Sequence, residues 1–286
     1  IKSTYEEPLH MLAEATQQVS NGDFSVYVPT IHTADRLDYL DIMIMDFNKM
    51  VEELGSVETL KTDFVSNVSH EMKTPIAVIK NYTELLRNGK AADEEKREYA
   101  KNIEEAAERL SGLITDILRL NKLENQRIDP EIEVYDLCGQ LEECILNYEE
   151  MWDEKHLDLE ADIMEGAFVR ADRSLMEVVW NNLLSNAIKF TDPGGNVAIR
   201  QKISEEYVEV EVSDSGCGMS KESIRHIFDK FYQGDTSHSK EGNGLGLALV
   251  KRILILMNGE ISVVSREGQG STFTVRIPKQ RKQIGG

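Results

Sequence analysis

The sequence predicts a multidomain chain in which an all-α part, a short helical pair followed by a helical hairpin, leads into an α/β sandwich. Three observations predict it. Apolar residues recur at steps of three and four from Leu9 to Leu120, the period of helices packed side by side. After "NQRIDP" the pattern changes to short alternating strands interleaved with helices. The 286 residues, 41% hydrophobic and 29% charged, suffice for about two or three modest cores in water.

Leu9, Leu12, Thr16 and Val19 form the first stripe, which ends at the turn signal "SNGD". A second, Leu37, Leu40, Ile44, Phe47, Val51 and Leu54, alternates regularly. Residues 1–56 are thus expected to form two short helices and a connector. Neither helix can bury its seam alone, so a parallel dimer is expected. Extending the second stripe predicts apolar residues where Glu58 and Lys61 stand, while Val57, Leu60 and Phe64 carry the hydrophobicity. The seam changes phase here, and such breaks locally overwind or unwind a coiled coil. It resumes as Val65, Val68, Met72, Pro75, Ile79, Tyr82 and Leu86. "RNGKAAD" makes a loop, and Tyr99, Ile103, Ala106, Leu110, Leu113, Ile117 and Leu120 mark a returning helix. Residues 57–127 therefore read as a hairpin that dimerises into a four-helix bundle.

Residues 128–286 open with "EIEVYDL", a helix to about Trp152, "LDLEADI", "AFVRA" and a helix from about Ser174 to Lys189. Two pairs follow, "NVAIRQKI" with "YVEVEVSD" and "GEISVVS" with "STFTVRIP". Their alternating valines mark one buried face, predicting helices over one side of a mostly antiparallel sheet.

A net charge of −19 opposes broad contact with a polyphosphate backbone, so nucleic acid is not an expected partner. Cys138, Cys144 and Cys217 cannot pair completely and form no CxxC, which indicates neither a disulfide framework nor a zinc site and suits a reducing cytoplasm. Cys138 and Cys144 read as apolar fillers on a helix. No run approaches the roughly 18 to 20 apolar residues of a membrane span. The start at Ile1, without methionine, suggests a piece of a longer protein.

"NVSHEMKTPIAV" carries the first candidate chemistry. With the seam at Val68 and Met72, His70 lies about 200° around the helix from either, on the solvent side. Thr74 sits one turn on, and Glu71 offers a carboxylate to orient the imidazole. Pro75 removes the N–H that would bond the Glu71 carbonyl, so a bend is expected just after the histidine. A neutral imidazole is a competent nucleophile, and phosphoryl acceptance by His70 is the chemistry suggested. Taken alone, an exposed histidine is an ordinary surface residue.

A second set of residues suits a nucleotide. On "VVWNNLLSNAIKF", Asn182, Asn186 and Lys189 share one face, where amide oxygens suit a hard cation and the lysine suits phosphate. Such spacing is also that of a solvated helix face. Asp214 leads into "DSGCGM", where Gly216 and Gly218 let backbone approach a flat base and the carboxylate could accept from an adenine amino group, although "DSG" is also a common turn. Gly242, Gly244 and Gly246 open a helix whose free N–H groups can meet phosphates. Their spacing fits neither GxGxxG nor GxxxxGK[ST]. Between lies "IFDKFYQGDTSHSKEGNG", with Lys230 and the aromatics Phe228 and Phe231, either an anchor or core, before a polar segment that reads as a hinged lid.

In this order the motifs resemble those of the cytoplasmic part of a sensor histidine kinase of two-component systems. "FVSNVSHEMKTPIAVI" is similar to the H box, "NNLLSNAIKF" to the N box, "DSGCGM" to G1, "IFDKFY" to the F box and "GNGLGLALV" to G2. "NGDFSVYVP" with "FNKMVEEL" resembles a HAMP relay domain, although "DRLDYLD" stands where an acidic-Gly element is usual, and Lys73 replaces the usual arginine. The resemblance implies a HAMP domain over 1–56, a dimerisation and phosphotransfer hairpin over 57–127, and a Bergerat-type catalytic domain over 128–286. It implies that ATP with Mg2+ phosphorylates His70, which then serves an aspartate on the receiver domain of a response regulator. Glu71 would be general base, Thr74 would position water for regulator dephosphorylation, Asn186 would hold magnesium and Asp214 would read adenine. Lys189 and Lys230 would meet phosphates. A homodimer is implied, anchored by an upstream transmembrane segment, with this portion in the cytoplasm. The break at Glu58 and Lys61 would be a two-state joint. The nearest rival is an ATP-driven clamp of the gyrase or Hsp90 kind, which needs a glutamate where Asn182 stands; a dimeric scaffold with dead chemistry is another.

Overall fold

The computed structural model describes residues 2–32, 37–88, 92–125, 129–234 and 242–279. The chain divides into two compact units, Ile1–Glu71 and Met72–Gly286.

In the first unit, α1 (Lys2–Ser20) and the beginning of α2 (Tyr39–Arg87) enclose a small core of Ala15, Val28 and Ile44, packed by Leu12, Val26, Ile31, Leu40 and Phe47. Among its described residues the connector between them has no regular ladder, and side chains serve its backbone. Asn48 Oδ1 accepts the Val28 N–H at 2.9 Å while its Nδ2 donates to the Val28 carbonyl at 2.7 Å. Asp38 begins α2 by accepting the N–H groups of Leu40 and Asp41 at 2.9 and 3.1 Å.

The apolar stripe changes phase near Glu58 and Lys61 as the sequence indicates, and α2 runs through that change as one helix of 49 residues. The physical reason is that a stripe can change phase without disturbing the i to i−4 ladder. Glu58 and Lys61, at the phase change, pair across 3.5 Å on the exposed surface. The helix also continues through Pro75, which is buried.

In the second unit, α3 (Asp93–Asn125) returns from the end of α2, with the Tyr82 and Tyr99 rings in tilted contact, 5.4 Å between centroids. Glu95 accepts the Ala92 N–H at 2.7 Å, and Asp93, Glu94 and Glu95 favour the positive end of the dipole. Ala106, Leu113, Leu120 and Leu123 are buried. Ile76, Leu85, Ile114 and Leu118 remain exposed on the hairpin. Residues 89–91 of the expected loop lie outside the described residues.

The α/β part has seven strands among the described residues. β1 (Ile132–Asp136) and β3 (Phe168–Asp172) form an antiparallel pair. β2 (Asp158–Asp162), β4 (Asn196–Ile203), β5 (Tyr207–Asp214), β6 (Glu260–Ser265) and β7 (Ser271–Pro278) form a sheet in the order β2-β4-β5-β7-β6. Only β2 and β4 run parallel, the rest being antiparallel as the sequence predicts. Val208, Val210 and Val212 of β5 and Phe273, Val275 and Ile277 of β7 point into the core. Against them lie α6 (Arg173–Phe190) and α8 (Gly246–Leu256), which also pack on each other. The single helix expected before Trp152 is two, α4 (Leu137–Leu146) and α5 (Glu149–Glu154), broken where Tyr148 leaves helical geometry and its hydroxyl donates to the Asn181 carbonyl at 3.2 Å. A short helix, α7 (Lys221–His226), precedes the glycine-rich segment.

Cys138 and Cys144 are buried on α4 as expected. Burial pushes both thiols up, that of Cys144 to about 12, which leaves them without thiolate at neutral pH.

Candidate functional site

Helix α6 starts at Asp172, whose side chain accepts the Leu175 N–H at 3.0 Å. Met176, Val179, Trp180, Leu183, Leu184, Ala187 and Ile188 take its core face, which turns Asn182, Asn186 and Lys189 to the other side, partly exposed. Asn182 Nδ2 donates to the Val178 carbonyl at 2.8 Å, which aims Oδ1 at Gly246. A Cβ at Gly246 would collide with that oxygen. One at Gly242 would stand 2.9 Å from Lys189 Nζ. The asparagine and lysine of the predicted set are therefore brought against two of the three predicted glycines.

The third, Gly244, has φ +67 and lies under the backbone of Phe231, whose N–H donates to the Gly244 carbonyl at 2.9 Å. Phe231 itself has φ +62. Asn243 Oδ1 accepts the Leu245 N–H at 3.0 Å, closing the turn that starts α8. Leu245 supplies no side-chain cap, so the first N–H groups of α8 suit an anion.

Asp214 ends β5 opposite Ser271. Burial raises its carboxyl above the usual aspartate value, against the lowering effect of N–H donors from Gly216 and Ser271. The Gly216 bond is 2.9 Å. A Cβ on Gly216 would strike the Phe190 carbonyl, and one on Gly218, at φ +63, the Arg266 carbonyl. Phe190 follows Lys189, so the end of α6 touches both halves of the set.

Lys230 is placed differently. Its ammonium lies 2.7 Å from Glu124 Oε2 of α3. Asn243 Nδ2 likewise donates to Asp116 at 2.8 Å, and Arg252 Nε to the Leu123 carbonyl at 3.0 Å. Phe228 is half-buried, with Lys251 5.5 Å above its ring. The lid residues 235–241 lie outside the described residues.

His70 is exposed on α2, followed by half-buried Glu71 and, one turn on, exposed Thr74. Sequence reasoning missed Phe190, Asn243, Asp116 and Glu124. The asparagine between two glycines is a turn signal that could have been read; the others meet the site only through contacts distant in sequence.

Residues 60–126 match the His Kinase A (phospho-acceptor) domain, and residues 171–281 the histidine kinase-, DNA gyrase B-, and HSP90-like ATPase. The heme sensor protein HssS of Staphylococcus saprophyticus is 33% identical over 290 residues, 99% of this chain and 60% of that protein. The chain thus spans about 60% of the length of the curated relatives it matches. Among solved structures, the Acinetobacter baumannii histidine kinase AdeS superposes with a TM-score of 0.60 at 25% identity, covering 74% of this chain and 98% of that one. Histidine kinase ThkA in complex with the response regulator protein TrrA gives 0.64 at 26% identity, covering 82% of this chain and 67% of that one. Among the described residues no helix is long and apolar enough to cross a membrane. With a phospho-acceptor segment over 60–126 followed by an ATPase-type segment over 171–281, and with the HssS alignments running over 97–99% of its length, the chain belongs to the histidine kinases.

Proposed function

We propose that the chain binds ATP with Mg2+, phosphorylates His70 and passes the phosphoryl group to an aspartate on the receiver domain of a response regulator. The observation that carries this is the cradle formed where Asn182 and Lys189 meet Gly246 and Gly242: side chains added at those glycines would fill it. A base would be read by the Asp214 carboxylate, whose loop is held close to the end of α6 because Gly216 carries no side chain. Asn186, on the Asn182 face, supplies an amide oxygen of the kind a hard dication takes, and Mg2+ there would neutralise phosphate charge.

Catalysis would then be positioning and charge neutralisation. A nitrogen of the His70 ring forms the bond to the γ-phosphorus, the bridging bond to the leaving ADP breaks, and Glu71 accepts the imidazole proton. Lys189, and Lys230 once released from Glu124, face phosphate oxygens, while Gly218 and Gly244 shape the loops around the nucleotide. Thr74 positions water when the same helix dephosphorylates the regulator. Asn182 stands where a hydrolytic clamp needs a glutamate, which suits a site that conserves phosphoryl energy.

The same reading assigns residues 1–56 to a HAMP relay, 57–127 to a dimerising phosphotransfer hairpin and 128–286 to the catalytic domain. Exposed Val57, Leu60, Val65, Ile114 and Leu118 supply the apolar faces of a homodimer. An upstream membrane segment would hold this portion in the cytoplasm, with the phase change at Glu58 and Lys61 as a two-state joint. The test is incubation with γ-labelled ATP. Acid-labile, base-stable label that disappears in His70→Ala is expected; steady ATP hydrolysis surviving His70→Ala would favour the clamp.

A further inference from the structure

The last carbonyls of an α-helix lack intrahelical partners. At the end of α6, the Ala187 carbonyl accepts the Thr191 N–H at 3.2 Å and its hydroxyl at 2.6 Å. The next acceptors are served from another element. Lys155 Nζ donates to the carbonyls of Ile188, Lys189 and Thr191 at 2.8, 3.0 and 3.1 Å. An ammonium has three protons, and here it has three carbonyl acceptors, with its charge at the negative end of the helix dipole.

Lys155 is itself held. It is the C-cap of α5, and the next residue, His156, takes φ +53 to turn the chain toward β2. The Lys155 carbonyl accepts the Gly194 N–H at 3.0 Å, while the Asp158 N–H donates to the Gly195 carbonyl at 2.8 Å. The lysine thus stands on a fixed frame of α5, β2 and the loop after α6. What that frame holds is the part of α6 that touches both halves of the nucleotide cradle. Lys189 lies against Gly242, and the Phe190 carbonyl against Gly216.

We propose that Lys155 is a positioning residue: it fixes the last turn of α6 so that the Lys189 ammonium meets the phosphates of the nucleotide. This rests on the nucleotide reading given above. A catalytic group displaced by about 1 Å can lose a hundredfold in effect, so a clamp on the Lys189 backbone is felt at the ammonium.

The experiment is titration of the full chain with Mg-ATP and with adenosine, for wild type, Lys155→Met, Lys189→Met and the double variant. Lys155→Met keeps the apolar stem and removes donors and charge. Its Kd for Mg-ATP is expected to rise about tenfold and that for adenosine by less than about threefold. The double variant is expected to bind Mg-ATP within about twofold of Lys189→Met, because the clamp acts through that side chain. Additive losses, equal losses for ATP and adenosine, or an unchanged Kd for Mg-ATP would overturn the proposal. A wild-type chain that does not bind Mg-ATP, or a Lys189→Met chain that binds it normally, would overturn the nucleotide reading and the inference with it. Lys155→Gln, which keeps two donors, carries the same test if Lys155→Met does not fold, with an intermediate loss expected.

Discussion

Lys230 and Glu124 form an ion pair at 2.7 Å, and the pair joins the segment before the glycine-rich loop to α3. A lysine expected to face phosphate therefore faces a carboxylate, and on the proposed reading the phosphates of a nucleotide would compete with Glu124 for it. The neighbouring Asn243 is engaged by Asp116 in the same way. The Lys230 and Glu124 side chains are 39% and 33% exposed, so solvent screens the pair and its worth is at most about 1 kcal/mol. Glu124→Gln should accordingly tighten Mg-ATP binding by up to about fivefold, and Asp116→Asn should add to it. The gain should shrink at high salt. Fluorescent-nucleotide titration at two ionic strengths measures this, and weaker binding in Glu124→Gln would contradict a competing contact.

Two glycines separate stability from binding. Gly218 has φ +63 and faces the Arg266 carbonyl, a backbone atom that cannot swing away. Gly218→Ala is expected to cost about 1–3 kcal/mol and lower the thermal midpoint by about 3–10 °C. Gly246 meets the end of the Asn182 side chain, which can move. Gly246→Ala should leave the midpoint within about 2 °C and weaken Mg-ATP at least tenfold, because the amide it displaces lines the cradle. Calorimetric scans and titrations on the same two proteins check the contrast.

Leu118 is 65% exposed on α3, and Ile114, one turn before it, is 41% exposed. Placed on a helix whose opposite residues Leu113 and Leu120 are buried, such an apolar pair has no cost to the isolated chain if made polar. Leu118→Glu with Ile114→Glu should therefore keep helical content and midpoint while shifting the chain from dimer to monomer at micromolar concentration. Sedimentation equilibrium reads the outcome, and an unchanged dimer would place the homodimer contact elsewhere.

The strands and the α6 face were legible because their signals are local. Alternating valines in β4 and β5 and the spacing of Asn182, Asn186 and Lys189 need only neighbours in sequence. The continuity of α2 was not, since an apolar stripe that changes phase resembles a boundary although the backbone ladder ignores it. Nor was the role of "DRLDYLD". Asp41 is fully buried and accepts N–H groups of Ile31, His32 and Asp38 at 2.6, 3.2 and 3.1 Å. Burial alone would raise its carboxyl, but these donors and the His32 ring hold it well below the usual range. Lys155 and Glu124 gave no local signal at all. Each is one charged residue on a charged helix, and its partner lies more than 30 positions away.

The Asp214 carboxyl gives the sharpest test, because its two effects have opposite sign. Burial raises its pKa above the ordinary 3.8, so the folded chain prefers it protonated. Its contribution to stability is therefore fully present below the unfolded value of 3.8 and is lost as pH rises through the higher folded value. At neutral pH the ionised group is a burden that Asn does not carry, and Asp214→Asn should match or exceed the wild-type thermal midpoint, with any advantage fading in acid. Binding should go the other way. An adenine amino group donates to the ionised oxygen, so wild-type affinity should decline on acidification from a pH above that of an ordinary aspartate. Asp214→Asn should weaken Mg-ATP at least tenfold at pH 7 and lose that pH dependence. A variant both less stable and equally tight at pH 7 would show that the carboxylate serves the fold and not the base.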